Sequence, residues 1–546
     1  MSSPRRTFIK TFSVASALIL TSAFGLIDTV KAQPSNATAR SGGEITFLIS
    51  SLEGGWGPNE KIDTYTGIVW GQVADKLVHV DAKGEITPWI VERWDENDDQ
   101  TQFTLHIKKG VTFSDGTPLD AKTVARNIDF WAKGDPERGI GRLGLFPSAT
   151  YKGSEVLDDH TVRVSFSGPT LSFIATLGYH KTVLRTIASI ELPATDLGNL
   201  SKQFGSGPYV VDSWQEGDRV VLLKRKDYNW GPVALGGSGA ANLDRITFKV
   251  VKDASLRASA VQSGQAEVAL NVSPQEIKGL KAKGIVIAAP DSLGFSSGYS
   301  INVKAPNFDD VNVRRAVQHA INRKEIVATV FTEEWKVAKT LLQSNVPEAG
   351  DYSKFLAFDP EQSKRLLEES GWKLGSNGVR TKNGEPLKFV LYASPWVSTS
   401  RAVSELVTQQ LQQVGIQATL QIVDIATFNA RVRNNNNVPL REQSRSFLDA
   451  GVVGNILTDG QKGDNWFGYD QTNETLNKLA NDISNSSNRK TRIDSLHQAQ
   501  AYVLDQALFI PTVELVQRLY VQSPKLKDVE YSGAAYPLYH RAHLEN

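Results

Sequence analysis

Apolar and polar residues alternate over Glu44–Ile49 and Thr161–Phe166, and a period of two predicts a strand at each. Ile246–Val251 reads as a strand as well, and Gly205–Val211 with Asp218–Leu223 as a hairpin turning at Glu216-Gly217. Helical spacing takes over at Ala121–Trp131, Leu171–Leu177 and Ala254–Ser263, the last stopped by Gly264. Over Asn312–Ile321 the residues Val313, Ala316, Val317, Ala320 and Ile321 share one helical face. Asp359-Pro360-Glu361 opens a further helix with a capping carboxylate and a first-turn proline, and Gly371 closes it before Trp372.

The richest pattern runs from Leu387 to Val423. Leu387–Tyr392 is a strand, and Arg401–Val414 a helix whose Ala402, Val403, Leu406, Val407, Leu411 and Val414 face inward. Gly415 caps that helix, and Ile416, Ala418, Leu420 and Ile422 alternate in the next strand. Strand, helix, strand implies a parallel pair with a right-handed crossover. Ligands in such sheets bind beyond the carboxyl ends of strands, which places Ser394-Pro395-Trp396 and the turn near Asp424 beside a cleft. The polar runs Gly236–Gly239 and Asn434–Asn437 are loops.

A chain of 546 residues is long enough for more than one core. With 22% charged residues and a net charge of +1, it carries no field that would draw nucleic acid or an anionic membrane. It has no cysteine, which excludes disulfides, thiolate metal sites, cysteine nucleophiles and a lipid-bearing cysteine. Pro4-Arg5-Arg6-Thr7-Phe8-Ile9-Lys10 precedes the apolar run Phe12–Ile27, which polar residues dilute below what a membrane span needs. Residues 1–32 therefore read as a signal of the twin-arginine type, with Val30-Lys31-Ala32 before the cut and Gln33 as the mature start. That export route and the missing lipidation site point to a soluble periplasmic protein.

Motifs for chemistry are sparse. Gly294-Phe295-Ser296-Ser297-Gly298 matches the pattern of a nucleophile elbow, so a secreted serine hydrolase using Ser296 or Ser297 is the alternative function. An elbow needs a helix after the serine, whereas Tyr299-Ser300-Ile301-Asn302-Val303 reads as extended chain. Asp95-Glu96-Asn97-Asp98-Asp99 starts like a calcium loop but has Gln100 and His106 where glycine and glutamate are required. The histidines show no paired metal spacing.

Phe113-Ser114-Asp115-Gly116-Thr117-Pro118-Leu119, set between a strand and the helix at Ala121, forms a rigid corner. Its wording resembles the signature of the extracytoplasmic solute-binding proteins of ABC importers, the oligopeptide/dipeptide/nickel-binding family 5. Four more blocks are similar to that family, in its order. They are Gly205–Tyr209 with Asp227-Tyr228-Asn229-Trp230, Val313-Arg314-Arg315-Ala316 with Asn322-Arg323, Asp359-Pro360 with Gly371-Trp372, and Val414-Gly415-Ile416.

The resemblance implies an α/β, two-lobed periplasmic-binding-protein fold of type II with an extra subdomain inserted in the first lobe. Lobe I would span residues 33–295 and 512–546, with the insertion at about 84–200, and lobe II residues 296–511. The crossings fall near Gly294–Ser300 and Leu508–Thr512. The implied function is capture of a peptide-like or chelated-metal solute between the lobes, without enzyme chemistry or cofactor. Delivery to the permease and ATPase subunits of an importer follows, from a monomer.

Ligand contacts are expected from Trp56 after the first strand, Arg142, the pair His180 and Lys181, and Tyr299 at the hinge. In lobe II they are expected from Trp396, Phe428, Asn455, Asp459 and Trp466. Aromatic walls suit small organic solutes. Lys181 stands where the nickel-binding branch has an arginine, and Val453 where that branch has a histidine. Direct nickel coordination is therefore not expected, although a metal inside an organic chelator needs no protein ligand.

Overall fold

The computed structural model describes residues 41–546 apart from 54, 58, 60, 61, 398, 433, 434, 436, 459–472, 517 and 546. The signal stretch 1–32 lies outside the described residues.

Glu44–Ile49, read from its alternation, is a central strand of a sheet that has seven strands among the described residues. It runs parallel to Arg245–Val250 on one side and to Val268–Leu270 on the other. The hairpin Tyr209–Gln215 and Arg219–Lys224 extends one edge. The other edge is made by Val286–Ala288 and by Tyr520–Gln522, which arrives from near the C-terminus. Phe47 packs on Phe248, Tyr520 and Tyr539, so residues nearly 500 positions apart share one core.

A five-stranded sheet forms the second layer, in the order Gln417–Gln421, Lys388–Tyr392, Leu440–Gln443, Ser297–Ile301, Phe509–Val513. Lys388–Tyr392 and Gln417–Gln421 are parallel, and the helix Ser400–Gln413 joins them, as the pattern of two followed by 3.6 predicts. Its core gathers Ile301, Val313, Val317, Leu391, Val407 and Leu411. The sheets are linked through Ser297–Ile301 and Phe509–Val513, which pair antiparallel with each other. The result is the two-lobed α/β fold of type II.

A four-stranded antiparallel sheet, Val91–Glu96, Gln102–Ile107, Thr161–Phe166 and Tyr151–Asp158, stands apart from both. The corner motif explains itself here. Phe113 N–H donates to Thr117 O at 2.8 Å, Gly116 takes φ +86°, and Asp120 caps the helix Ala121–Lys133 through Thr123 N–H. Ser114 N–H then reaches Gly205 O at 2.9 Å. Gly205 must be glycine, because a Cβ there would lie 2.1 Å from Val73 O. The helix expected over Leu171–Leu177 shortens to Phe173–Thr176, where Phe173 is committed to an aromatic cluster with Phe103, Phe146 and Phe166.

Several buried polar side chains, some of them in the motif blocks, brace the framework itself. Tyr228 and Trp230 both donate to the buried carboxylate of Asp75, at 3.0 and 2.8 Å. Arg257, Arg314 and Arg323 direct their guanidinium groups at carbonyl oxygens, and Arg380 adds a carboxylate to two carbonyls. Five fixed donors in a planar fork suit arginine to that task.

Candidate functional site

A cavity of about 710 Å³ opens between the two large sheets. From the seven-stranded side its wall takes Asp63–Tyr65, Tyr179–Lys181, Asn271, Arg518 and Tyr536, and from the five-stranded side Ser394–Val397, Phe428 and Arg441–Ser446. Its volume falls within the roughly 300–1,000 Å³ usual for small-molecule sites.

The turn after Phe173–Thr176 positions Tyr179, His180 and Lys181. Gly178 lets it approach the neighbouring strand, since a Cβ would meet Val80 Cγ2 at 2.7 Å. His180 is 8% exposed and stacks on Tyr536, with centroids 4.5 Å apart. Burial, followed by the charges of Arg518 and Lys181, holds its pKa well below the usual histidine range, so the ring is neutral. The Arg518 guanidinium lies 3.7 Å from the centre of the same Tyr536 ring and donates to Ala534 O. Asp63 lines the cavity but spends its carboxylate capping the helix Thr64–Val73, accepting from Thr66 N–H and Oγ1.

The opposite wall carries Trp396, half-exposed at 50% and edge-on to Phe428 at 5.2 Å. Trp396 follows the strand Lys388–Tyr392, and Phe428 opens a π-helical turn, Phe428–Val432, of the kind often found at functional sites. Beside them lies Glu442, 2% exposed, which accepts hydrogen bonds from the Ser297 and Ser400 hydroxyls. Counting side chains along the whole wall, Lys181, Arg441, Arg445 and Arg518 are basic, and Asp63 and Glu442 acidic. The excess of positive charge favours guests with carboxylates.

Of the residues expected to touch ligand, His180, Lys181, Trp396 and Phe428 are in this wall. Trp56 is not: it is 1% exposed and packs edge-on against Trp214 within the core. Tyr299 is not either, because its side chain points into the five-stranded core, where its hydroxyl meets Ser404 Oγ at 2.9 Å. Arg142 is an exposed loop residue away from the cavity. Asn455 falls on the helix Val452–Thr458. Asp459 and Trp466 lie outside the described residues. Val453 is buried.

The motif Gly294–Gly298 does not form the nucleophile elbow that the alternative reading needs. Ser297–Ile301 is a strand paired on both sides where an elbow requires a helix, and Ser296 and Ser297 donate to Leu342 O and Glu442.

Sequence reading missed Glu442, Arg518 and Tyr536. Glu442 belongs to Leu440–Gln443, where three successive polar residues hide a strand. Arg518 and Tyr536 come from the far end of the chain and meet His180 only through the fold.

Burial also sets a pH dependence. It raises the Glu442 carboxyl from 4.5 to about 7, with the hydrogen bonds from Ser400 and Ser297 opposing in part. The native state thus keeps a proton that the unfolded chain gives up at lower pH. This penalty is absent below 4.5, grows as pH rises, and is complete above about 7. Its size is on the order of 3 kcal/mol. Denaturant titrations should show E442Q gaining on wild type by up to about that amount between about pH 5 and pH 8. An unchanged gap would refute the assignment.

Comparison with known proteins gives one family. Residues 85–443 match the model described as bacterial extracellular solute-binding proteins, family 5 Middle. The glutathione-binding protein GsiB of Escherichia coli (strain K12) is 28% identical over 428 residues, 78% of this chain and 75% of the relative. NikA from Brucella suis, solved in complex with Fe(III)-EDTA, superposes with a TM-score of 0.79 at 21% identity, covering 92% of this chain and 100% of that one. DppA from Helicobacter pylori, in complex with the peptide STSA, gives a TM-score of 0.73 at 21% identity, covering 93% and 99%.

Proposed function

The chain belongs to the bacterial extracellular solute-binding proteins of family 5, and on that footing we propose that it captures a peptide-like or chelated-metal solute for an ABC importer. The observation that carries the cargo class is the cavity between the sheets, with its aromatic walls and excess of basic side chains. Glutathione and EDTA, the guests named for two of the similar proteins, are polycarboxylates that suit such a wall. A metal would travel inside its chelator, held through the chelator's carboxylates.

In this reading residues 33–295 and 512–546 form one lobe and 296–511 the other. Closure of the lobes on the solute is a population shift that a permease can sense, and an ATPase drives release. The protein works as a monomer, exported by the twin-arginine route and periplasmic without a lipid anchor. It does no chemistry on its guest. No helix among the described residues is long and apolar enough to cross a membrane.

Mass spectrometry of small molecules released from the natively purified protein tests the cargo. A carboxylate-bearing peptide or chelate is the expected result, and recovery of a chemically altered guest after incubation would end the reading. Trp396→Ala should weaken binding of the recovered solute about tenfold in calorimetry, by removing an aromatic face from the wall. Because the ring is half-exposed, the melting temperature should hardly move.

A further inference from the structure

Two helices that belong to different sheets meet beside the cavity. Pro274–Ala282 lies with the seven-stranded sheet, packed on the helix Ala254–Gln262 and the edge strand Val286–Ala288. Arg323–Val330 lies with the five-stranded sheet, packed on Phe509–Val513 and the helix Ser400–Gln413. The turn that follows the second helix, Phe331 to Lys336, reaches across to the first. Its Trp335 stacks on Phe331 with centroids 5.2 Å apart and is buried in one apolar cluster with Ile277 and Leu280 of the first helix. Phe331 and Trp335 also line the cavity, as do Val272 and Pro274.

An ionic contact backs this joint. Lys281 Nζ, in the last turn of Pro274–Ala282, lies 2.5 Å from Glu333 Oε1 and pairs with Glu334 as well. None of these three residues is part of the cavity wall. Glu334 accepts from the Thr332 hydroxyl, and its side chain is only 8% exposed. Ion pairs bathed in water contribute little, but a sheltered carboxylate loses more when its cation leaves. The hydrogen bonds to Glu333 and then Glu334 raise the Lys281 ammonium above the usual lysine range, so it stays charged at neutral pH. At the far end of the turn, Lys336 Nζ reaches Asp291 at 3.1 Å.

We propose that this turn is a clasp between the lobes, and that Lys281 is a positioning residue which sets affinity by holding the lobes closed without touching the solute. The inference rests on the transport reading and its lobe assignment, in which Lys281 belongs to residues 33–295 and Glu333 and Glu334 to 296–511. A guest seated against Phe331 and Trp335 favours the same closed state that the Lys281 pairs favour. Apparent affinity then scales with the closed fraction of the free protein, which the clasp raises.

Calorimetry with glutathione and X-ray scattering of the guest-free protein test this, on the intact chain at low and high salt. Lys281→Glu should bind glutathione about tenfold more weakly than wild type at low salt, and should show a larger radius of gyration without guest. Reversing the partners too, in a variant with Lys281→Glu, Glu333→Lys and Glu334→Lys, should restore both values, a rescue that a merely structural role would not give. Raising the salt should bring wild type and Lys281→Glu closer together. Equal scattering of guest-free wild type and Lys281→Glu overturns the inference and leaves the transport reading standing, since that arm needs no guest. Failure of the triple variant to recover, at a melting temperature equal to wild type, does the same. If glutathione binds none of the proteins, the scattering alone decides. The transport reading fails on a different result, a chemically altered guest.

Discussion

Replacing Gly298 by valine should cost the protein more than about 3 kcal/mol, beyond the usual range for overpacking. Gly298 lies where the two connecting strands touch, opposite Pro511 on one side and Gln443 on the other. A Cβ there would stand 2.3 Å from Ile510 O and 2.7 Å from Pro511 Cα. Both obstacles are backbone, so no rotamer change relieves them, and the strands must separate. Gly298 is not in the left-handed region, so the penalty is one of space alone. Gly298→Ala should already cost about 2–3 kcal/mol, and Gly168→Ala, with open space around its Cβ, within about 0.5 kcal/mol of nothing. Urea titrations followed by far-ultraviolet circular dichroism would decide. A Gly298→Val protein as stable as wild type would show that these strands do not pack as described.

Removing the side chain of Arg323 should be as damaging. Its Nε donates to Pro511 O at 2.6 Å, and one terminal nitrogen reaches the carbonyls of Gln318, Ile321 and Leu356 at 3.3, 3.1 and 2.8 Å. Burial alone lowers its pKa to about 9, so the cation is retained at neutral pH. Arg323→Ala would leave those carbonyls enclosed and unpaired, for an expected loss of about 4 kcal/mol. Arg323→Lys brings a single ammonium and should recover less than half. The same denaturant series measures both, and a loss below about 1 kcal/mol would contradict the role. Pro511 is common to this network and to the Gly298 contact, so the two effects should not add.

Much of the architecture could be read before any coordinates, for physical reasons. Glu44–Ile49 and Thr161–Phe166 emerged with the bounds their alternation predicts: Thr161–Phe166 presents one face to a core, and Glu44–Ile49 turns Ile45, Phe47 and Ile49 into one core and Leu48 into another. The unit around Lys388–Gln421 was legible because two periods switch cleanly at glycine. Leu440–Gln443 was not, since a strand covered on both faces and rich in Arg, Glu and Gln shows no alternation. The site was legible only where one local segment builds it. Trp396 could be placed because it follows a strand's carboxyl end. Trp56 and Tyr299 misled because a large aromatic near small residues looks the same whether it faces a guest or fills a core. His180 and Tyr536 stack across more than 350 residues of chain, which no local pattern reports.

The arginines that grip carbonyls have an evolutionary corollary. Arg257, Arg314 and Arg323 spend their donors inside the framework, and none of them lines the cavity. Selection for a new guest can rewrite the cavity wall without disturbing these braces. Mutations that weaken the braces lower the amount of folded protein for every guest alike. Adaptability and robustness are thereby assigned to separate sets of residues, and one can drift while the other stays put.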